Sequence, residues 1–141
     1  MKLSGNRSKS SQNAYAVVTG AGSGIGRSFA YELAKRGGAV VCVDLNLAAA
    51  QDTVDQIKAT GAKAFALQCD VGNAEQVNSV AEQAEQLLGH PVTLLINNAG
   101  VGLGGKFDEV SLDDWKWCMQ VNLWGVIHGC HAFVPKFKKL G

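Results

Sequence analysis

Thr19-Gly20-Ala21-Gly22-Ser23-Gly24-Ile25-Gly26 is the stretch that decides the fold. An apolar run, Ala14-Tyr15-Ala16-Val17-Val18, leads into it. A helical pattern from Arg27 to Arg36 leads out, with Phe29, Ala30, Leu33 and Ala34 on one side. The spacing is Gly20-x-x-x-Gly24-x-Gly26, and not a literal G-x-G-x-x-G, because position 25 is Ile. The physics of the two patterns is the same. A turn without side chains lets backbone N–H groups approach a pyrophosphate, and the helix N-terminus adds positive potential. A glycine turn taken alone could simply pack a helix on a strand. Here it follows a strand, precedes a helix, and has Asp44 at the end of the next apolar run, 18 residues after Gly26. An acid at about that distance accepts hydrogen bonds from ribose hydroxyls. A carboxylate there repels a 2′-phosphate, no basic residue follows in Asp44-Leu45-Asn46, and position 23 is Ser. NAD is therefore expected over NADP. Arg27, the one nearby cation, reads as a solvated first-turn residue.

The same alternation continues outward. Gly37-Gly38 stops the first helix, since glycine tolerates the left-handed cap. Val40-Val41-Cys42-Val43 reads as strand two, and Leu47 to Thr60, closed by Gly61, as helix two. Ala64-Phe65-Ala66-Leu67 is strand three and ends near Asp70. Ala74 to Leu88 is helix three, closed by Gly89, with Pro91 barring its continuation. Thr93-Leu94-Leu95-Ile96 is strand four and runs into Asn97-Asn98-Ala99-Gly100. Ser111-Leu112-Asp113-Asp114 opens a last helix with a capping side chain and first-turn acids. It is expected to reach about Leu140, kinked or shortened by Pro135. The strands are solid apolar runs, so both sheet faces must be covered. The reading is βαβαβαβα, a Rossmann-type doubly wound parallel sheet over residues 14–141, behind a loose polar arm at 1–13.

Composition agrees with one ordinary globular domain: 141 residues, 47% hydrophobic and 18% charged, with mean hydropathy +0.04. Disorder, coiled coil, a membrane helix and a secretory signal are not expected. The net charge of +1 hides an arrangement. Lys2, Arg7, Lys9, Lys136, Lys138 and Lys139 sit at the two ends, leaving an acidic middle. Nucleic acid, which needs a basic face on the folded core, is not an expected partner, nor is a membrane. Cys42, Cys69, Cys118 and Cys130 are scattered with no C-x-x-C, so they read as buried hydrophobes in a reducing, cytoplasmic setting. His128 and His131 have no ligand partner at suitable spacing, and no metal site is expected.

Asn122 stands out on the last helix. It falls in an apolar stripe of Trp115, Met119, Val126, Cys130, Phe133 and Phe137, where a buried amide must find partners. A second apolar line, Trp117, Val121, Trp124 and His128, points to a second packing partner for this helix, another helix or another subunit.

Taken in order, these residues resemble the classical short-chain dehydrogenase/reductase family, over Tyr15 to Gly141. Thr19-Gly20-x-x-x-Gly24-Ile25-Gly26 is similar to the family's cofactor turn, and Asp44 to its NAD-selecting acid. The resemblance implies cofactor binding by Gly20, Ser23, Gly24, Ile25 and Gly26 of the turn and by Asp44. Asp70-Val71 is similar to the pair that meets the adenine ring. Asn98, Ala99 and Gly100 belong to the Asn97-Asn98-Ala99-Gly100 motif that ends strand four and lines the nicotinamide ribose side. Asn122, in Val121-Asn122-Leu123, matches the asparagine of the catalytic tetrad, which holds a water in a proton relay. The implied activity is hydride transfer between a nicotinamide and a small alcohol or carbonyl substrate. A homo-oligomer through the fourth helix is implied too.

The family's chemistry also uses a Ser and a Tyr-x-x-x-Lys beyond that asparagine. The only tyrosines are Tyr15 and Tyr31. Tyr31-x-x-x-Lys35 is a chance match, far upstream of the motif's place. The chain is therefore expected to hold the cofactor-binding part, in strand order 3-2-1-4 and cut before strand five. Weakened NAD binding and no turnover by these residues alone are the expectation. The alternatives are a non-catalytic NAD-binding module and a half-fold that docks a partner chain along strand four. Doubly wound folds for adenosylmethionine or flavin are set aside by the Asn-Asn-Ala-Gly run and Asn122.

Overall fold

The computed structural model describes residues 9–141. Strands β1 (Tyr15–Thr19), β2 (Ala39–Asp44), β3 (Ala64–Gln68) and β4 (Leu94–Ile96) form one sheet in the order β3-β2-β1-β4. Every pairing is parallel, with Val17 opposite Val41 and Leu95, and Val41 opposite Phe65. The helices are α1 (Gly24–Lys35), α2 (Leu47–Lys58), α3 (Ala74–Leu88), α4 (Leu112–Met119) and α5 (Gly125–Leu140).

The solid apolar strands have the consequence expected of them. Successive side chains point to opposite faces, so each strand feeds two cores. Ala16 and Val18 pack with Ala30, Leu33, Val54 and Ile57 of α1 and α2. Val17, Val41 and Val43 pack with Val80, Ala84 and Phe133 of α3 and α5. This is a doubly wound sheet, and its four strand ends carry the loops of the site. No helix among the described residues is long and apolar enough to cross a membrane.

Local chemistry sets the helix ends. Asn46 and Asn73 accept hydrogen bonds from the backbone N–H of Ala49 and Gln76 at the starts of α2 and α3. Ser111 does the same for Asp114 at the start of α4. Such caps satisfy donors that the helix itself leaves open. Of the arm expected at 1–13, residues 1–8 lie outside the described residues. Residues 9–13 form a turn held to the end of α1. The N–H of Asn13 and the Nε2 of Gln12 both donate to the Arg36 carbonyl, at 3.1 and 2.9 Å.

The last helix is interrupted at a place the sequence did not mark. A π turn, Gln120–Trp124, interrupts it between α4 and α5. Pro135 does not end it, and α5 continues to Leu140. The N–H that proline lacks would have served the carbonyl of exposed His131, where water can take its place. The buried line is also different. Gly125, Gly129 and Phe133 face the sheet, whereas Met119, Val126 and Cys130 of the expected stripe are exposed. Two glycines let α5 approach Val71 and Asn97 more closely than a larger residue would allow. The π turn shifts the helical phase of Trp115 and Met119 relative to Phe133 and Phe137, while Val126 and Cys130 lie one residue off the buried line of Gly125, Gly129 and Phe133.

Candidate functional site

The carboxyl ends of the strands open into a cleft of about 480 Å³. This is where parallel α/β sheets place their ligands. Gly20, Ser23, Gly24 and Ile25 line one wall. Asp44, Asp70, Val71, Asn98, Ala99 and Gly100 line the cleft as well. Among the turn residues expected to bind cofactor, Gly26 alone is absent from the lining. It is buried behind the turn, and a Cβ there would collide with the Gly20 carbonyl oxygen. Its role is to let α1 close on the turn. Gly20 has φ of 66°, and a Cβ there would lie 2.8 Å from Asn98 Nδ2 and 2.9 Å from Ala99 Cα. The turn thus needs glycine for its backbone angle and for its neighbours.

The start of α1 is unlike the starts of α2, α3 and α4. Ser23, its N-cap, makes no side-chain cap hydrogen bond. The first-turn amides of α1 are therefore left to the cleft, where an anion can accept from them. Asp44 is held in place beside them. Its Oδ2 accepts from the Gly22 N–H at 2.8 Å and its Oδ1 from the Asn46 N–H at 2.9 Å. Each oxygen keeps a further lone-pair site for a hydroxyl donor. Space at Gly22 is part of this arrangement, since a Cβ there would stand 2.7 Å from Asp44 Oδ2.

Arg27 is not the free first-turn residue expected. Its Nη2 donates to the Gly22 carbonyl at 2.6 Å and pairs with Asp52 at 3.0 Å, and its Nε donates to Thr53 Oγ1 at 3.0 Å. Thr53, fully buried, in turn donates to the Ala21 carbonyl at 2.8 Å. The guanidinium anchors the glycine turn to α2.

Thr19 and Asn98 join the turn to the end of β4. Thr19 Oγ1 accepts from the N–H groups of Asn98 and Ala99, both at 3.0 Å. Asn98 Nδ2 donates back to the Thr19 carbonyl at 3.1 Å and to that of Gly20 at 3.3 Å. The amide of Asn98 is thus occupied in shaping the cleft. Asn122 lies on the π turn and is exposed, not buried as the stripe suggested. Its amide is nonetheless engaged. Oδ1 accepts from the Val101 N–H at 2.8 Å, and Nδ2 donates to the Val101 carbonyl at 2.9 Å. It clasps the backbone that follows Gly100.

Several lining residues had no signal in the sequence. Leu45, Trp117, Gln120 and Val121 reach the cleft through tertiary folding. Only the apolar line of Trp117 and Val121 hinted at a second face. Cys69 lines the cleft as well, and burial, aided by the Asp70 charge, pushes its thiol up to about 11. Tyr31 stands outside the cleft, where its hydroxyl donates to Gln56 Oε1 at 2.5 Å. Among the described residues no group of three or more His, Cys, Asp or Glu could hold a metal ion. A dinucleotide fits the donor set that is present: open amides at a helix start, a glycine cradle that any Cβ would fill, and a carboxylate turned into the cleft.

Residues 14–141 match the sequence family described as short chain dehydrogenase. The chain is 40% identical over 130 residues to a cyclohexanol dehydrogenase of Acinetobacter sp., covering 92% of this chain and 51% of that protein. It is 36% identical over 126 residues to the 7alpha-hydroxysteroid dehydrogenase of Escherichia coli, covering 89% and 49%. Among solved structures, a short chain dehydrogenase/reductase from Burkholderia phymatum in complex with NAD superposes with a TM-score of 0.89 at 41% identity, covering 94% of this chain and 47% of that one. The chain spans about half the length of these relatives.

Proposed function

Because the chain belongs to the short chain dehydrogenase family, we propose that its cleft holds NAD and that these residues serve hydride transfer between a nicotinamide and an alcohol or carbonyl substrate. The observation that carries the cofactor choice is the setting of Asp44. The carboxylate is fixed by two backbone N–H groups, and the first-turn cation Arg27 is tied to Gly22, Thr53 and Asp52. A ribose with two free hydroxyls donates to Asp44, whereas a 2′-phosphate meets an unneutralised negative charge.

The remaining roles are those that the family resemblance implies for residues at the cleft. The open amides at the start of α1 take the pyrophosphate. Asp70 and Val71 border the adenine, and Asn98, Ala99 and Gly100 border the nicotinamide ribose. Asn122, through its hold on Val101, fixes the backbone beside the reacting end and supports the proton relay from there. The bound nicotinamide supplies the hydride chemistry, and the protein supplies orientation and exclusion of water. The proposal includes no turnover by the 141-residue chain assayed by itself. Tyr31 and Lys35 lie on α1, outside the cleft, and no other Tyr-x-x-x-Lys occurs in the sequence. Substrate-dependent NADH formation by the pure chain would sink that part.

Parallel calorimetric titrations with NAD and NADP test the cofactor reading. NAD is expected to bind at least about tenfold more tightly, the size of a one-unit differential charge effect. Equal or tighter binding of NADP would overturn the role given to Asp44.

A further inference from the structure

Asp70 and Val71 line the cleft, and loop 70–72 that carries them is held from two sides. From within, the Gly72 N–H donates to Asp70 Oδ1 at 2.8 Å, and the Asp70 N–H donates to Gln76 Oε1 at 2.8 Å. Its carbonyls point the other way, toward the last helix. His128 Nδ1 lies 2.8 Å from the Val71 carbonyl oxygen, and Gln120 Nε2 lies 2.5 Å from that of Gly72. A carbonyl only accepts, so His128 carries its proton on Nδ1. Between these two contacts Gly125 faces the Val71 side chain, and a Cβ at 125 would stand 2.7 Å from Val71 Cγ2. The His128 ring is itself braced by Trp124, with centroids 5.9 Å apart.

The π turn makes this grip possible. The Gly125 N–H donates to the Gln120 carbonyl, an i to i+5 pairing that sets the two residues nearly one above the other. In an unbroken α-helix they would be about 140° apart at 3.6 residues per turn. Gln120 would then point away from Gly72.

We propose that Gln120 and His128 are positioning residues for the adenine end of the nucleotide. Through the π turn they hold the two outward carbonyls of loop 70–72, and so fix Asp70 and Val71 in the cleft. The proposal rests on the nucleotide reading of the cleft.

The test uses the whole chain, AMP as the probe, and backbone amide hydrogen exchange followed by NMR. His128→Phe removes the donor and keeps a ring. Gln120→Leu removes the other donor from an exposed position and serves as a second arm should His128→Phe not fold. His128→Asn keeps an N–H where Nδ1 stands. Loss of either donor is expected to weaken AMP binding by about threefold to tenfold, the worth of one hydrogen bond. Exchange should quicken at residues 70–73 while the amides of the glycine turn 20–26 keep their rates. His128→Asn should restore both readouts. Unchanged AMP affinity with unchanged exchange at 70–73 overturns the proposal and leaves the nucleotide reading standing. Exchange that rises across the whole sheet, without rescue by Asn, shows a merely structural role and overturns it as well. Failure of the unaltered chain to bind AMP or NAD overturns the nucleotide reading, and this proposal with it.

Discussion

Thr19 shows how much one hydroxyl can carry. Its Oγ1 accepts two backbone N–H groups from the end of β4, and the residue is 8% exposed. Thr19→Val keeps the shape and orphans both donors. Each buried unsatisfied group costs about 1–3 kcal/mol, so chemical denaturation is expected to show a loss of about 2–4 kcal/mol. A loss below about 0.5 kcal/mol, the range of a neutral surface change, would show that the two amides find other partners. The role was not legible beforehand, because the partners lie about 80 residues away along the chain. Asp44 and the glycines were legible, because their chemistry is written locally as spacing after a strand. Arg27 was misread for the opposite reason. A first-turn position says nothing of Thr53 and Asp52 on another helix, which hold it.

Elements were easiest to read where one period held throughout. β1, β2, α2 and α3 follow their apolar patterns closely, with Gly61 and Gly89 as punctuation. The last helix was not readable to the same depth. The π turn at Gln120–Trp124 changes the period mid-helix, so residues that share a stripe on paper face apart in the fold. Asn122 belongs to that turn, and its amide makes two hydrogen bonds to Val101. Asn122→Ala should leave global stability nearly intact, because the site is exposed and water replaces the lost partners. The backbone after Gly100 should loosen. Amide exchange at Val101 is expected to rise about tenfold or more, since loops open locally at low free energy. Unchanged exchange there would mean that Asn122 does not hold the loop.

Across the whole molecule, the alternation of strand and helix fixes the architecture, and the cleft follows from the strand ends. The two deepest thiols report on the core this builds. Burial raises Cys42 from an ordinary 9.0 to about 12, and Cys69 from 9.0 to about 11. In the unfolded chain both release protons near pH 9, whereas the folded chain keeps them. The unfolded state then binds fewer protons than the native state, so stability falls as pH rises from about 9 toward 11 or 12. Denaturation midpoints should be flat with respect to these thiols below pH 9 and decline above it. Cys42→Ala with Cys69→Ala should remove most of that decline. An undiminished slope in the double variant would assign it to other groups.

The most direct test of the cofactor site is calorimetric titration of the chain with NAD, with Asp44→Ala beside it and amide dispersion as the check on folding. One NAD per chain is predicted for the unaltered protein. Asp44→Ala, still folded, should bind about tenfold or more weakly, as expected for loss of hydrogen bonds to a charged acceptor. No binding by a folded chain, or equal binding by the variant, would contradict an NAD site built on the glycine turn and Asp44.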